Sequence, residues 1–286
     1  MNIYLIVVIQ ILIAGGTHIV ARAVVGEVDP VTLTFLRSLI STGGLTLFLI
    51  AKRTTITVER ADWKRLAMLG FLGIPVNQFF YLYGLKFSTA ANGALLYATT
   101  PVFVLLLSAS LLNERITKRK SLGILLAFTG VALVVFERGV DFSSEYTFGN
   151  LMILIAVLAW ALFTIYGKPM ILKYGAMQTT SLAMVMGTLV FFPVGFACAL
   201  NFPYGQLGSG HWAGIFYLGI GTSIFGYLLW YYALGHIEAS KLAVFANGQP
   251  IVATVLSLIF LHYSITGPFI VGGIVTIVGV VLTQLG

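Results

Sequence analysis

Read from the N-terminus, the chain alternates long, uninterrupted apolar runs with short polar connections. The runs fall at 3–22, 31–51, 65–85, 88–111, 119–137, 149–172, 177–199, 212–234, 239–262 and 266–285. Each is about 20 residues, enough for a helix rising 1.5 Å per residue to cross the ~30 Å hydrocarbon core of a bilayer. Apolar residues are continuous within the runs, so the two-residue alternation of a membrane-spanning strand is missing. With no water in the hydrocarbon to satisfy backbone groups, helices are the remaining way to span it. The pattern predicts an all-α membrane protein with ten transmembrane helices. The first run exceeds a cleaved leader's apolar core and has no Lys or Arg before it, so it is expected to stay as a helix, although Ala21-Arg22-Ala23 mimics a cleavage site.

Composition points the same way. Of 286 residues 59% are hydrophobic and 9% charged, with a mean hydropathy of +1.00; soluble domains carry about 25% charged residues. Cys198, the single cysteine, lies inside an apolar run, which excludes a disulfide or thiolate metal cluster and predicts a small packing residue. A net charge of +7 could suit nucleic acid, but the basic residues sit in short loops, where they set orientation. With the N-terminus in the cytoplasm, inner loops collect twelve: Lys52, Arg53, Arg60, Lys64, Arg65, Arg115, Lys118, Arg119, Lys120, Lys168, Lys173 and Lys241. Outer loops collect three, Arg22, Lys86 and Arg138, and Arg37 lies within a span. The expectation is a multi-pass, N-in and C-in protein of the cell (inner or plasma) membrane. It would act as a monomer on a small-molecule substrate, with lipid bilayer around it and no nucleic acid, cofactor or metal.

Shifted by 149 positions, the second half lies over the first. YGLKFSTAANGALLYATTPVF (83–103) meets YALGHIEASKLAVFANGQPIV (232–252), and fourteen identities occur in the 51 gapless positions from residue 83. They include Pro101/Pro250, Ile116-Thr117/Ile265-Thr266, Gly123/Gly272 and Gly130/Gly279. Each half then holds five helices, 1–140 and 141–286. An odd number makes the second half enter the membrane from the other side. Such inverted repeats recur in secondary transporters, with the substrate at the repeat interface near the midplane. Two polar breaks match across the repeat: Tyr97, Thr100 and Pro101 in the fourth run, Asn247, Gln249 and Pro250 in the ninth. Each proline removes one helical hydrogen bond, freeing the carbonyls of Tyr97 and Ala246. Pro101 and Pro250 are the expected hinges; packing kinks are the alternative.

The candidate chemistry is cationic and amide-rich. All nine acidic residues fall in loops or at span ends, which argues against an organic-cation substrate. Arg37 and His18 lie inside spans, nearer the outer side. Arginine in a membrane usually faces a cavity or a partner, and its fork suits a carboxylate or phosphate; snorkelling or a helix-end bond is the alternative. His18 is the candidate proton carrier, since histidine changes charge near neutral pH; a packing histidine is the alternative. Asn77 and Tyr81 share a face of the third span, beside Gln78, and Tyr227 and Trp230 stand opposite in the eighth. Trp160 lies mid-span in the sixth run, too deep for an interfacial belt. Gly123/Gly130 and Gly272/Gly279 mark packing helices outside a cavity, and Glu114 is expected to pair with Arg115 or Lys118. No H-E-x-x-H, G-x-S-x-G or P-loop spacing occurs, so no enzyme is expected.

The doubled five-helix unit, the proline in the fourth helix of each half, LLNERIT (111–117) with Gly123 and Gly130, and LAWALFTIYGK (158–168) resemble the drug/metabolite transporter superfamily, specifically its ten-helix EamA-type members. The resemblance covers nearly the whole chain. Two departures stand out: Ala14 replaces the tryptophan often found in helix one, and His262-Tyr263 stand where Asn113-Glu114 would repeat. The resemblance implies ATP-independent transport of small metabolites, often export of amino acids or related compounds. The expected activity is alternating-access transport of a zwitterionic or anionic solute. A facilitator of nucleotide-like or sugar-conjugate substrates and a non-transport membrane scaffold are the alternatives.

Overall fold

The structure, a computed structural model, describes residues 2–54, 56–137, 143–261 and 266–286, and these residues form helices and connections without a strand. The helices are α1 (Ile3–Val25), α2 (Pro30–Ala51), α3 (Arg60–Lys86), α4 (Ala90–Tyr97), α5 (Thr100–Leu111) and α6 (Lys118–Glu137), followed by α7 (Ser144–Leu200), α8 (Ser209–Leu234), α9 (Ala239–Ala243), α10 (Gly248–Leu261) and α11 (Gly267–Gln284). Among the described residues, six stretches are long and apolar enough to cross a membrane by length and composition.

Local chemistry fixes the starts. Asp29 accepts hydrogen bonds from the amides of Val31 (3.1 Å) and Thr32 (2.9 Å), and Pro30 follows it, so α2 begins at Asp-Pro. Thr89 caps α4 by accepting from the Asn92 amide at 3.0 Å. The 57-residue α7 is two consecutive helices, because Gly175 takes φ 78°, ψ 160°. A left-handed φ costs glycine little and an L side chain much more, which puts the boundary between the expected sixth and seventh runs at that residue. Lys173 (to Asp62, 2.7 Å, and Glu59, 2.6 Å) and the Tyr174 hydroxyl (to Asp62, 2.6 Å) tie this turn to the start of α3.

Four runs are less regular than expected. The fourth divides at Ala98-Thr99 into α4 and α5, and the ninth divides at a 3₁₀ turn, Val244–Asn247, between α9 and α10. Pro101 thus starts a helix and does not kink the interior of one. Pro101 and Pro250 are both buried. The third and eighth runs contain π-helical turns, Leu72–Gln78 in α3 and Tyr217–Gly226 in α8. Shifted by 149 positions, Leu72–Gln78 falls on 221–227, overlapping the other turn.

Helices α6 and α11 pack antiparallel at backbone distance. A Cβ on Gly123 would lie 2.7 Å from the Gly279 carbonyl oxygen, and one on Gly130 would lie 2.5 Å from that of Gly272. The same shift of 149 exchanges these two contacts. Small residues permit such approach, and dispersion and close packing hold helices together where lipid supplies no hydrophobic drive. Elsewhere polarity is inverted relative to a soluble protein. Leu47, Ile50, Leu172, Leu189 and Ile277 point outward, while Gln10, His18, Arg37, Asn77, Gln78 and Asn247 are buried. Cys198 faces outward, contrary to the packing role expected of it: its helix turns that face to the surroundings beside Val194 and Phe196, also exposed.

Candidate functional site

A cavity of ≈ 70 Å³ opens between α1, α2, α3, α4, α7, α8 and α10. Water needs roughly 10–15 Å³ of such space, so the cavity can hold about five waters or the polar end of a small solute. Nine residues singled out in the sequence line it: His18, Arg37, Asn77, Gln78, Tyr81, Tyr97, Trp160, Tyr227 and Gln249. Gln10, Ile13, Ala14, Thr17, Thr222 and Gly226 complete the lining. Gln10, Ala14 and Thr17 are spaced i, i+4, i+7 on α1, one helical face, and that spacing next to His18 is the sequence signal that would have found them.

Thr100, Trp230 and Asn247 lie outside the lining. Trp230 packs behind the cavity wall, its indole N–H donating to Thr164 Oγ1 at 3.1 Å and its ring 5.5 Å from Trp160 and tilted 44° to it. The Thr100 hydroxyl and both polar atoms of the Asn247 amide are buried without a hydrogen-bond partner.

Arg37 is 2% exposed. Its Nε and Nη2 donate to Ser223 Oγ at 3.2 and 2.9 Å, and Ser223 in turn donates to the Leu218 carbonyl at 3.0 Å. That last bond reaches back five residues, so the π-turn supplies the carbonyl that aims Ser223 at the guanidinium. Among the described residues no carboxylate pairs with Arg37. Nη1 is left for the cavity. Arg37 is therefore neither snorkelling nor bound to a helix end.

The rest of the lining is a hydrogen-bond network. Asn77 Nδ2 donates to the Tyr97 hydroxyl (2.7 Å) and to the Ala156 carbonyl (2.8 Å), while the Tyr227 hydroxyl donates to Asn77 Oδ1 (3.1 Å). Gln78 Nε2 donates to the Tyr227 hydroxyl at 3.3 Å. His18 has both ring nitrogens engaged, Nδ1 with the Tyr81 hydroxyl (2.7 Å) and Nε2 with Gln249 Oε1 (3.1 Å). In the neutral ring with the proton on Nε2, Tyr81 donates to Nδ1 and Nε2 donates to Gln249. Thr17 and Thr222 join α1 to α8 through a 2.7 Å hydroxyl contact. Two acceptors in the lining have no partner, Gln10 Oε1 and Gln78 Oε1. Tyr81 and Tyr97 meet edge to face at 5.2 Å, as do Trp160 and Tyr227 at 5.0 Å, forming a stiff aromatic wall.

Glu114 corrects an expectation. It pairs with Lys168 of α7 at 3.1 Å, and not with Arg115 or Lys118. Asn113 takes φ 57°, and this left-handed residue turns the chain so that Glu114 points inward while its neighbours face out. No group of three His, Cys, Asp or Glu side chains that could hold a metal occurs among the described residues.

The EamA-like transporter family model matches residues 1–136 and again 147–285. An uncharacterized transporter of Archaeoglobus fulgidus is 31% identical over 98% of this chain and 96% of its own. The Bacillus subtilis uncharacterized transporter YyaM is 26% identical over 100% and 94%. A Streptantibioticus cattleyicolor protein named "Probable terminal-alkyne amino-acid exporter" is 27% identical over 77% and 73%. A crystal structure of a protein 20% identical superposes with a TM-score of 0.79 over 98% of this chain and 96% of that one, the same fold. A polar cavity inside an all-helical, lipid-clad body, with the family model matched across both halves, makes this chain a multi-pass membrane protein of the EamA-like transporter family, a transporter and not an enzyme.

Proposed function

We propose that the chain is a ten-span secondary carrier, built from inverted repeats 1–140 and 141–286, that moves a small zwitterion such as an amino acid by alternating access. One observation carries the substrate class: what the cavity leaves unpartnered. Arg37 offers donors with no carboxylate to receive them, and Gln10 and Gln78 offer carbonyl oxygens with no donor. A solute bearing a carboxylate and an ammonium satisfies both sets. Placing arginine in the membrane costs roughly 2.5–3.5 kcal/mol on insertion scales, and charge-assisted hydrogen bonds to a bound carboxylate, ~1.5–3 kcal/mol each, offset it. The cavity's size and single cation disfavour nucleotide-like or sugar-conjugate solutes, whose phosphates need more donors and more room.

Support for the repeat comes from the separate family matches to each half, from the glycine contacts exchanged by the 149-residue shift and from the overlapping π-turns. Helix breaks just before the buried Pro101 and Pro250 support a hinge role for both prolines. The relative named as an amino-acid exporter supports export, and the loop charges support an N-in, C-in topology in the cell membrane. The test is a thermal-shift screen of purified protein, since a ligand of the folded state raises its stability by mass action. Amino acids are expected to stabilise it, whereas the matching carboxylic acids without an amine and amines without a carboxylate are not. Stabilisation by the amines alone would overturn the assignment.

A further inference from the structure

On the face of the molecule that carries most of the Lys and Arg, one carboxylate ties together α7, which walls the cavity, and the segments joined to the α4 and α10 walls. Lys168 lies eight residues beyond Trp160 on α7, about 12 Å along the helix. Ser240, in α9, precedes the cavity residue Gln249 of α10, and Glu114 follows the α4–α5 pair that contributes Tyr97. The Glu114 carboxylate accepts from Lys168 Nζ (3.1 Å), the amides of Ala239 (2.7 Å) and Ser240 (3.1 Å), and the Ser240 hydroxyl (2.7 Å). Lys168 also donates to the Ile237 carbonyl at 3.2 Å. Beside it Lys120 pairs with Glu238 and donates to the Arg115 carbonyl, a second tie between the same two connections.

This arrangement does not repeat at the opposite face. The 149-residue shift carries Lys168 to Ile19, Ala239 and Ser240 to Ala90 and Ala91, and Glu114 to Tyr263, which lies outside the described residues. None of the four carries a charge. The pairs that would close the cavity on that side therefore lack the ion pair, however the backbone moves. Burial by itself would raise the Glu114 carboxyl, but the hydrogen bonds from Ser240 and the Ala239 and Ser240 amides, with the charge of Lys168, bring it to about 2. Glu114 remains ionised, and available to Lys168, throughout the physiological range.

We propose that Glu114, Lys168 and Ser240 form a one-sided latch that holds the cavity closed toward the basic face, so that the resting protein opens to the opposite face. The latch rests on the alternating-access reading of the preceding section. Its direction follows from which state holds the contacts: a ligand-free two-state carrier populates the state with the additional interactions. Breaking the latch shifts the resting population toward the state open to the basic face. Charge-assisted hydrogen bonds of this kind correspond to a roughly 10- to 100-fold change in the ratio of the two states.

The test uses full-length protein carrying Cys198→Ala and Ala14→Cys, the second placing a thiol in the cavity lining. A membrane-impermeant maleimide is applied to vesicles of each orientation. With the latch intact, residue 14 is expected to react from the face opposite the basic one. Glu114→Gln, Lys168→Met and Ser240→Ala each raise its reaction rate from the basic face, the first two by tenfold or more. The three variants remove different atoms of one cluster, so a folding failure in one leaves two measurements. Unchanged basic-face labelling in the folded variants overturns the latch while leaving the carrier intact. Residue 14 unreactive from both faces in every variant means there is no alternately exposed cavity, and the carrier reading falls together with the latch.

Discussion

Arg37→Met replaces a buried guanidinium by an apolar chain of similar length, and its effects on affinity and on stability should have opposite signs. In the ligand-free protein the guanidinium is 2% exposed, holds only Ser223, and has no carboxylate partner among the described residues. An uncompensated buried charge is destabilising, and replacing it by a packed apolar side chain is often neutral or stabilising. The cost falls on binding. Removing one partner of a buried, hydrogen-bonded charge pair costs roughly 2–5 kcal/mol, which at 1.4 kcal/mol per tenfold is about 30-fold or more in Kd. With amino acid at about 100 times the wild-type Kd, mass action stabilises the wild type by ~2.7 kcal/mol; a 30-fold weaker Kd leaves under ~1 kcal/mol. Chemical denaturation of the purified protein with and without amino acid reads both quantities. Arg37→Lys keeps the charge and loses the fork, so it should fall between the two. Ligand stabilisation that survives in Arg37→Met would remove Arg37 from the site. A ligand-free protein weakened by more than about 2 kcal/mol would make Arg37 a strut for Ser223 instead.

Three further outcomes follow from the contacts. Gly130→Val and Gly279→Val should each separate α6 from α11 and lower thermal stability markedly, because backbone of the facing helix fills the space a side chain would take; Gly273→Val, with open space around it, is the control and should change little. Glu114 has its carboxyl lowered to about 2 from 4.5, so it contributes stability that is complete above about pH 5 and is lost as pH falls toward 2. Glu114→Gln should abolish that acid-dependent part in equilibrium unfolding, and an unchanged acid profile would contradict the assignment. His18→Asn should remove any dependence of flux on a pH gradient, because an amide in place of the ring that contacts Tyr81 and Gln249 cannot take up a proton; wild-type flux in proteoliposomes that ignores such a gradient would rule His18 out as a proton carrier.

The helices were legible because a lipid-facing helix writes itself as a run of apolar residues, whatever packs against it. What the runs could not record was irregularity within them. A π-turn has no periodic signature, and Pro75 alone does not distinguish it from a kink. The split of the ninth run at Val244–Asn247 was visible as polarity beside a proline, yet the same polarity misled about Asn247: an amide beside a helix break marks altered backbone and leaves open which way the side chain points. Arg37 and His18 were conspicuous because charge in an apolar run is costly wherever it points. Thr222 was not legible, because nothing local sets a cavity-lining hydroxyl apart from one bonding a neighbouring helix, whereas Gln10 is marked only by its spacing from Ala14, Thr17 and His18 on one helical face. The partners of Glu114 were illegible for a topological reason, since Lys168 and Ala239 lie 54 and 125 positions away while two cations stand close by in the chain.

The turn at Tyr217–Gly226 gives the length of α8 a meaning that its composition does not. A helix closed by bonds five residues apart holds one residue more per turn than the regular form, and α8 spends that residue just before Tyr227. Deleting one residue between Gly219 and Thr222 would remove that surplus, so the helix could wind regularly with its later side chains still facing as they do now. Winding every residue of the turn regularly, with none removed, would instead swing each later side chain by about 100°, carrying the Tyr227 hydroxyl away from Asn77. Straightening the backbone at full length would blind the pocket, and shortening it by one residue would spare it.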